Sequence, residues 1–233
     1  PLVDFSRPES RTAMEAALKK VAGELGREYP LIIAGQEHQT SDKLRSINPS
    51  HADQVVGIFS KATAELANRA IEDAHGYFDV WKRVPAEARV EILFRTGEIL
   101  RRRKFEMSAW LCYETGKTWP EADADTAELI DFCEFYGREM LRLAGPQPVT
   151  PSPGEKNYLV YIPLGVGVVI PPWNFAAAIM GGMTTAALVT GNTVVLKPSS
   201  DSPTIAYKFV EMLYEAGLPR QALQFCPCSG ASV

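Results

Sequence analysis

Cysteine, histidine, surplus charge and long apolar runs are all scarce in this 233-residue chain. Each scarcity excludes something. Four cysteines, Cys112, Cys133, Cys226 and Cys228, make no disulfide framework. Only three histidines occur, His38, His51 and His75, far upstream of the Cys226-Pro-Cys228 pair, so that pair lacks the further ligands a zinc site needs. It also lacks an adjacent base to make either thiol a nucleophile. A formal charge of −4, from 24 basic and 28 acidic residues, provides no basic field for nucleic acid. The longest apolar stretch, Tyr158 to Asn174, is broken by glycines and prolines, so no membrane span is expected. Asp4, Arg7 and Glu9 interrupt any signal-like run, and a cytoplasmic, reducing setting is the expectation. A G-x-G-x-x-G loop is missing too: Gly165 and Gly167 precede their strand instead of following it.

What is present is an ordinary globular composition, 46% apolar and 22% charged, long enough for a large core. The opening segment has helical spacing at Met14, Leu18 and Val21. "YPLIIAGQEHQ" and "KLRSINPSHADQVVGIF" read as short strands of a small sheet layer. Residues 62–143 read as successive helices, with Pro85 and Pro120 opening two of them. The basic run Arg101–Lys104 fits the solvated C-terminal end of a helix, where the dipole favours cations. In the helix after Pro120, Ala127, Phe132, Tyr136 and Met140 are expected to face a core. Glu128, Asp131 and Glu134 share another face, readable as acid and base or as a solvated stripe.

A Pro/Gly-rich connector at 145–157 leads to an expected exposed strand, "YLVYIP". From there strands and helices alternate: "GVGVVI", "AAAIMGGMTTAALVTG", "NTVVLK", "SPTIAYKFVEMLYEAG" and "ALQFCP". Strands this apolar, separated by helices, imply a parallel sheet covered on both faces. Ligands in such sheets collect beyond the C-terminal strand ends. Two of those ends are unusual. "IPPWN" places Asn174 there as an uncharged N–H donor suited to an oxyanion, with Pro171, Pro172 and Trp173 stiffening its backbone. The same asparagine could instead cap the next helix. "VVLKPSS" places Lys197, Ser199 and Ser200 where a ribose or phosphate would be held, or leaves them as a surface lysine with a serine cap.

Together and in this order, "PPWNFA", "AALVTGNTVVLKPSSDSP" and "EAGLPRQALQF" resemble the aldehyde dehydrogenase superfamily. The long helical stretch from Asp79 to Val149, and "SPGEKNYLVYIPLGVGVVI", resemble its 1-pyrroline-5-carboxylate (glutamate semialdehyde) dehydrogenase branch. The resemblance implies an α/β fold, the N-terminal part of the family's fold: an open parallel sheet with helices on both faces, plus a small sheet and flap for oligomerisation. It implies residues 1–144 as the helical and small-sheet part of the cofactor domain, 145–163 as the flap and 164–233 as a partial NAD-binding unit, with the catalytic domain absent. It further implies NAD-dependent oxidation of L-glutamate γ-semialdehyde to L-glutamate, with a small aldehyde as substrate and a homodimer or higher homo-oligomer as the assembly. Asn174 matches the oxyanion-stabilising asparagine and Lys197 the lysine on the adenosine ribose. Ile170, Pro171 and Pro172 match backbone on the nicotinamide side; Trp173, Ser199, Ser200 and Gly230 complete the implied cofactor contacts.

Three positions depart from the family pattern. Ala176 replaces a usual proline. Ser200 replaces a glutamate common in NAD-specific members, which leaves NADP acceptable. Cys228 replaces a glycine, which would strain the backbone if it needs positive φ. None of the four cysteines matches the family's nucleophile, so the chain is expected to be inactive alone. Another aldehyde as substrate, or a non-catalytic nucleotide-binding or assembly fragment, is the alternative.

Overall fold

The computed structural model describes residues 1–230. A first helix, α1 (Pro8–Ala22), precedes five strands: β1 (Arg27–Tyr29), β2 (Leu31–Ile33), β3 (Gln36–His38), β4 (Lys43–Asn48) and β5 (His51–Ser60). Four helices follow: α2 (Ala64–Trp81), α3 (Ala86–Arg102), α4 (Lys104–Thr115) and α5 (Trp119–Ala144). After an irregular stretch come β6 (Val166–Val169), α6 (Ala178–Val189), β7 (Thr193–Leu196), α7 (Pro203–Glu215) and β8 (Leu223–Phe225).

The expected parallel unit is β6–β7–β8, in register from Val166 opposite Thr193 and Val194 opposite Leu223. The first hairpin is placed differently from its sequence reading. Instead of joining a separate small layer, β2–β3 extends this sheet, β2 running antiparallel to β8 through Ile32 opposite Phe225. The larger sheet is therefore mixed. The small layer is β1–β5–β4, and the segment read as one strand is a β4–β5 hairpin with register shifts near Ile47. Ile32 is buried in the main core and Leu31 and Ile33 in a second cluster, so β2 needs cover on both faces and finds it at the β8 edge.

All of β7 is buried. Its alternate residues divide between two cores: Val195 packs with Ala70 and Ala74 of α2, while Val194 and Leu196 join the cluster of α6 and α7. β6 has β7 on one side only, and Val168 is exposed. No described helix is long and apolar enough to cross a membrane.

Local chemistry sets the element ends. Thr63 Oγ1 accepts from Leu66 N at 3.2 Å to start α2. Gly116 stops α4 in the left-handed conformation, φ +68°, which a side chain resists. Glu121 then accepts from the amide and the hydroxyl of Thr118, opening α5 within two residues of the α4 stop.

Two sequence readings change. The buried stripe of α5 includes Ala122, Asp125, Leu129, Cys133 and Met140, whereas Ala127, Phe132 and Tyr136 are only half-buried. The phase is shifted because Gly181 of α6 lets Leu129 of α5 pack inside, while Gly182 lies against the half-buried Phe132. A side chain at Gly181 would collide with Leu129. The "YLVYIP" stretch is exposed as expected but pairs with no described strand, and a lone extended segment has nothing to hydrogen-bond as a ladder.

Candidate functional site

Three strand ends meet on one side of the parallel unit. Lys197 N donates to Val169 O at 2.9 Å, and Cys226 N to Leu196 O at 2.8 Å. Ile170, Lys197 and Cys226 are thereby aligned just past β6, β7 and β8.

Beyond β6, Pro171 is buried while Ile170, Pro172, Trp173, Asn174 and Phe175 are exposed. Residues 174–177 form turns before α6. Ile179 N donates to Phe175 O at 3.0 Å and Gly181 N to Ala177 O at 2.9 Å, so the helical ladder begins immediately after Asn174. Asn174 does not cap that helix. The cap position is Ala177, which has no capping side chain, and among the described residues the Asn174 amide has no hydrogen-bond partner. The capping reading of this residue is therefore set aside, and its donors are free of protein partners. Trp173, expected to brace the loop, is itself 56% exposed and lines a cavity of about 310 Å³ together with Ser200.

The missing cap comes from elsewhere. Asp125 of α5, 1% exposed, accepts from Ala178 N at 2.8 Å through Oδ1, while its Oδ2 lies 2.7 Å from Lys117 Nζ. The same ammonium stands 4.5 Å from the ring centroid of Phe175. Trp81 Nε1 and Arg89 Nε donate to the carbonyls of Leu188 and Val189 at 3.1 and 2.9 Å, closing the other end of α6.

Beyond β7 the arrangement repeats with a different carboxylate. The serines are not α7's cap: Ser202 occupies the cap position without a capping bond, and Ser199 Oγ accepts from Asp201 N at 3.3 Å inside the loop. Glu114 of α4, 2% exposed, accepts instead from Thr204 N and Ile205 N, each at 2.8 Å, and from Ser46 Oγ at 2.7 Å. Burial holds its carboxyl above the ordinary range despite those bonds. Glu114, Ser46, Trp173 and Ser200 line the same cavity, so the structure joins the two loops that the sequence treats separately.

Lys197 is half-buried, and no carboxylate pairs with it among the described residues. Its charge is felt by Cys228, which a hydrogen bond from Cys226, and secondarily Lys197 and Lys61, lower to about 7. Cys226 is raised, both by that hydrogen bond and by burial. Burial pushes Cys112 up to about 11 and Cys133 to about 12. Cys228 has no positive φ, so the strain anticipated there is not present. Gly230 is exposed, with nothing within 4 Å of an added Cβ. Among the described residues no group of three His, Cys, Asp or Glu could hold a metal.

The acidic residues singled out on α5 fall on its outer face. Glu128 and Asp131 are exposed, and Glu134 pairs with Arg101 and Arg138. The basic run is more engaged than a solvated helix end: Arg103 reaches Glu215 at 2.8 Å and Lys104 reaches buried Asp123 at 2.7 Å. The carboxylates that touch the site segments, Asp125 and Glu114, were not singled out in the sequence. The one signal for Asp125 was its place on the stripe of Ala122 and Leu129.

The chain is 59% identical over all its 233 residues to the 1-pyrroline-5-carboxylate dehydrogenase of Geobacillus kaustophilus, and covers 45% of that protein. A crystal structure of 1-pyrroline-5-carboxylate dehydrogenase from Thermus with bound NAD superposes with a TM-score of 0.95 at 44% identity, covering 99% of this chain and 45% of that one. Proline utilization A from Bdellovibrio bacteriovorus superposes at 0.96 with 39% identity, over 99% of this chain and 24% of its own. The chain thus spans somewhat under half the length of the curated relatives it matches. Residues 36–233 match the aldehyde dehydrogenase family, and to that family the chain belongs.

Proposed function

We propose that this chain supplies the oxyanion donor and part of the NAD site for oxidation of L-glutamate γ-semialdehyde, the open form of 1-pyrroline-5-carboxylate, to L-glutamate. The observation that carries the reading is the unpartnered Asn174 amide at the β6 end, beside an unpaired Lys197 at the β7 end. An amide free of protein partners can donate to a developing alkoxide without first breaking a bond, which is where electrostatic preorganisation gains its effect.

The residues present fit a dinucleotide's ribose side. Lys197, Ser199 and Ser200 offer a cation and two hydroxyls at the sheet's C-terminal edge, and Ile170 to Trp173 form the wall leading from there to Asn174. The nicotinamide, when bound, accepts the hydride that leaves the aldehyde carbon. Ser200 brings no negative charge against a 2′-phosphate, so NADP is accepted as well as NAD. Gly230 belongs to the same cofactor wall. The thiol nucleophile is not among Cys112, Cys133, Cys226 and Cys228. Cys112, Cys133 and Cys226 are held protonated, and Cys228, although lowered, is buried in an apolar cluster under α2. The chain alone is therefore inactive, and the nucleophile comes from sequence outside these residues.

Residues 145–163 are assigned as an assembly flap for a homo-oligomer. Tyr158, Val160 and Ile162 are exposed there, a cluster of apolar side chains of the kind that marks an interaction surface.

A chimera tests the reading: residues 1–233 joined to the remaining C-terminal portion of the Geobacillus kaustophilus relative. It should form NADH from 1-pyrroline-5-carboxylate, and Asn174→Ala should lower kcat about 10²–10³-fold. A folded chimera that forms no NADH would overturn the proposal.

A further inference from the structure

We propose that Lys117 and Asp125 are positioning residues for Asn174, acting together as a clamp on the turn that carries it. The inference rests on Asn174 acting as proposed above.

Asn174 holds itself in place poorly. Its side chain is exposed and its amide unpartnered, and the helix that follows begins at a cap residue, Ala177, that caps nothing. Four residues, 174–177, separate the strand-end loop from the first helical residue, and turns of this kind rotate easily unless both ends are fixed. The upstream end is fixed by buried Pro171 and the β6–β7 ladder. Downstream, two grips are on the page. Asp125 Oδ1 takes the Ala178 amide at 2.8 Å, and Lys117 Nζ lies 4.5 Å from the centre of the Phe175 ring. One ion pair of 2.7 Å links the two grips, so neither can shift without the other.

The clamp is itself rigidly mounted. Asp125 is buried in the α5 stripe that packs on Gly181, and Lys117 sits in the three-residue connection between the left-handed stop at Gly116 and the cap at Thr118. A cation between a carboxylate and an aromatic face loses strength sharply if either partner moves. Both grips lie on the helix side of Asn174, one and four residues downstream, and with buried Pro171 upstream they hold the turn that carries it. Lys117 and Asp125 neither reach the substrate nor exchange a proton in this role.

The test reads Asn174 directly. The chain contains five asparagines, so selective ¹⁵N-asparagine labelling gives few side-chain amide signals, and Asn174→Ala identifies the one of interest. In the 233-residue chain, Lys117→Met, Asp125→Asn and Phe175→Leu should each move or broaden that signal, and Lys117→Arg should restore it. Phe175→Leu alters a half-exposed ring and keeps the fold, so it decides the matter if the buried-pair variants do not fold. An Asn174 signal unmoved in Phe175→Leu and in a folded Lys117→Met would overturn the proposal, as would a Lys117→Arg chain no closer to the original than Lys117→Met.

In the chimera, Lys117→Met should lower kcat about 10- to 100-fold with KM for NAD unchanged, the expected result of misplacing one group at the reacting centre. Lost thermal stability with kcat intact would mean the pair is merely structural and would overturn it. If the unmutated chimera forms no NADH, the reaction assigned above fails, while the amide signals still decide whether the clamp exists.

Discussion

After β6 the chain enters α6 beneath Asp125; after β7 it enters α7 beneath Glu114. Both helices start at cap residues that do no capping, and both are served by a buried carboxylate from the helical layer. The carboxylates differ in company. Asp125 faces a lysine and one backbone amide, whereas Glu114 faces two backbone amides and a hydroxyl, with no cation in contact. The first end is held by an ion pair and the second by hydrogen bonds alone, so charge, geometry and pH should act on them unequally.

The largest separation is expected from deleting the carboxylates. Asp125→Ala leaves Lys117 half-entombed without its counter-charge and Ala178 N–H without an acceptor, a loss of about 3–5 kcal/mol. Glu114→Ala should cost less, about 1–3 kcal/mol, because orphaned amides are offset by removing a carboxyl that burial disfavours. Urea unfolding of the two variants reads both; equal losses would erase the distinction.

Gly181→Ala probes the α6 end alone. The new methyl meets buried Leu129, and the overpacking should cost about 1–3 kcal/mol while pushing Asp125 away from Ala178. Amide hydrogen exchange should accelerate at Ala178 and stay unchanged at Thr204 and Ile205.

pH acts on the Glu114 end. Burial raises the Glu114 carboxyl above its ordinary 4.5, so the folded state retains a proton that the unfolded chain releases. Stability from this proton is full below the ordinary carboxylate range and is lost as pH rises through the folded value, at most about 1.4 kcal/mol per pH unit. Glu114→Gln should flatten that part of the stability profile; a profile unchanged by the substitution would contradict it.

The smallest effect is at Cys228. With its thiol lowered to about 7 by Cys226 and by Lys197 and Lys61, it should be the first of the four cysteines to be alkylated as pH rises. Its folded value lies below its ordinary 9.0, so this group adds stability above that value and loses it as pH falls through about 7. Lys197→Met should move the alkylation midpoint upward. A midpoint that stays put would mean that the lysine charge does not reach the strand ends.

The sequence by itself determined the elements and the strand ends. The apolar strands and their turns placed β6, β7 and β8, and the uncommon "PPWN" and "LKPSS" marked the loops that follow β6 and β7, because those signals are local in the chain. It also placed Asn174 and Lys197 at the correct ends. It misassigned the β2–β3 hairpin, whose three-residue strands carry no information about which edge they will join. It named Met140 of the α5 core but missed Ala122, Leu129 and Cys133, since Leu129 is brought inside by Gly181 of α6, a partner more than forty residues away. Two things were decided only by the tertiary structure: that Asn174 and the serines after Lys197 are free of capping duty, and that Asp125 and Glu114 do the capping in their place. A helix end accepts any suitably placed oxygen, and whether that oxygen comes from the neighbouring residue or from another helix is a matter of packing, which no local pattern records.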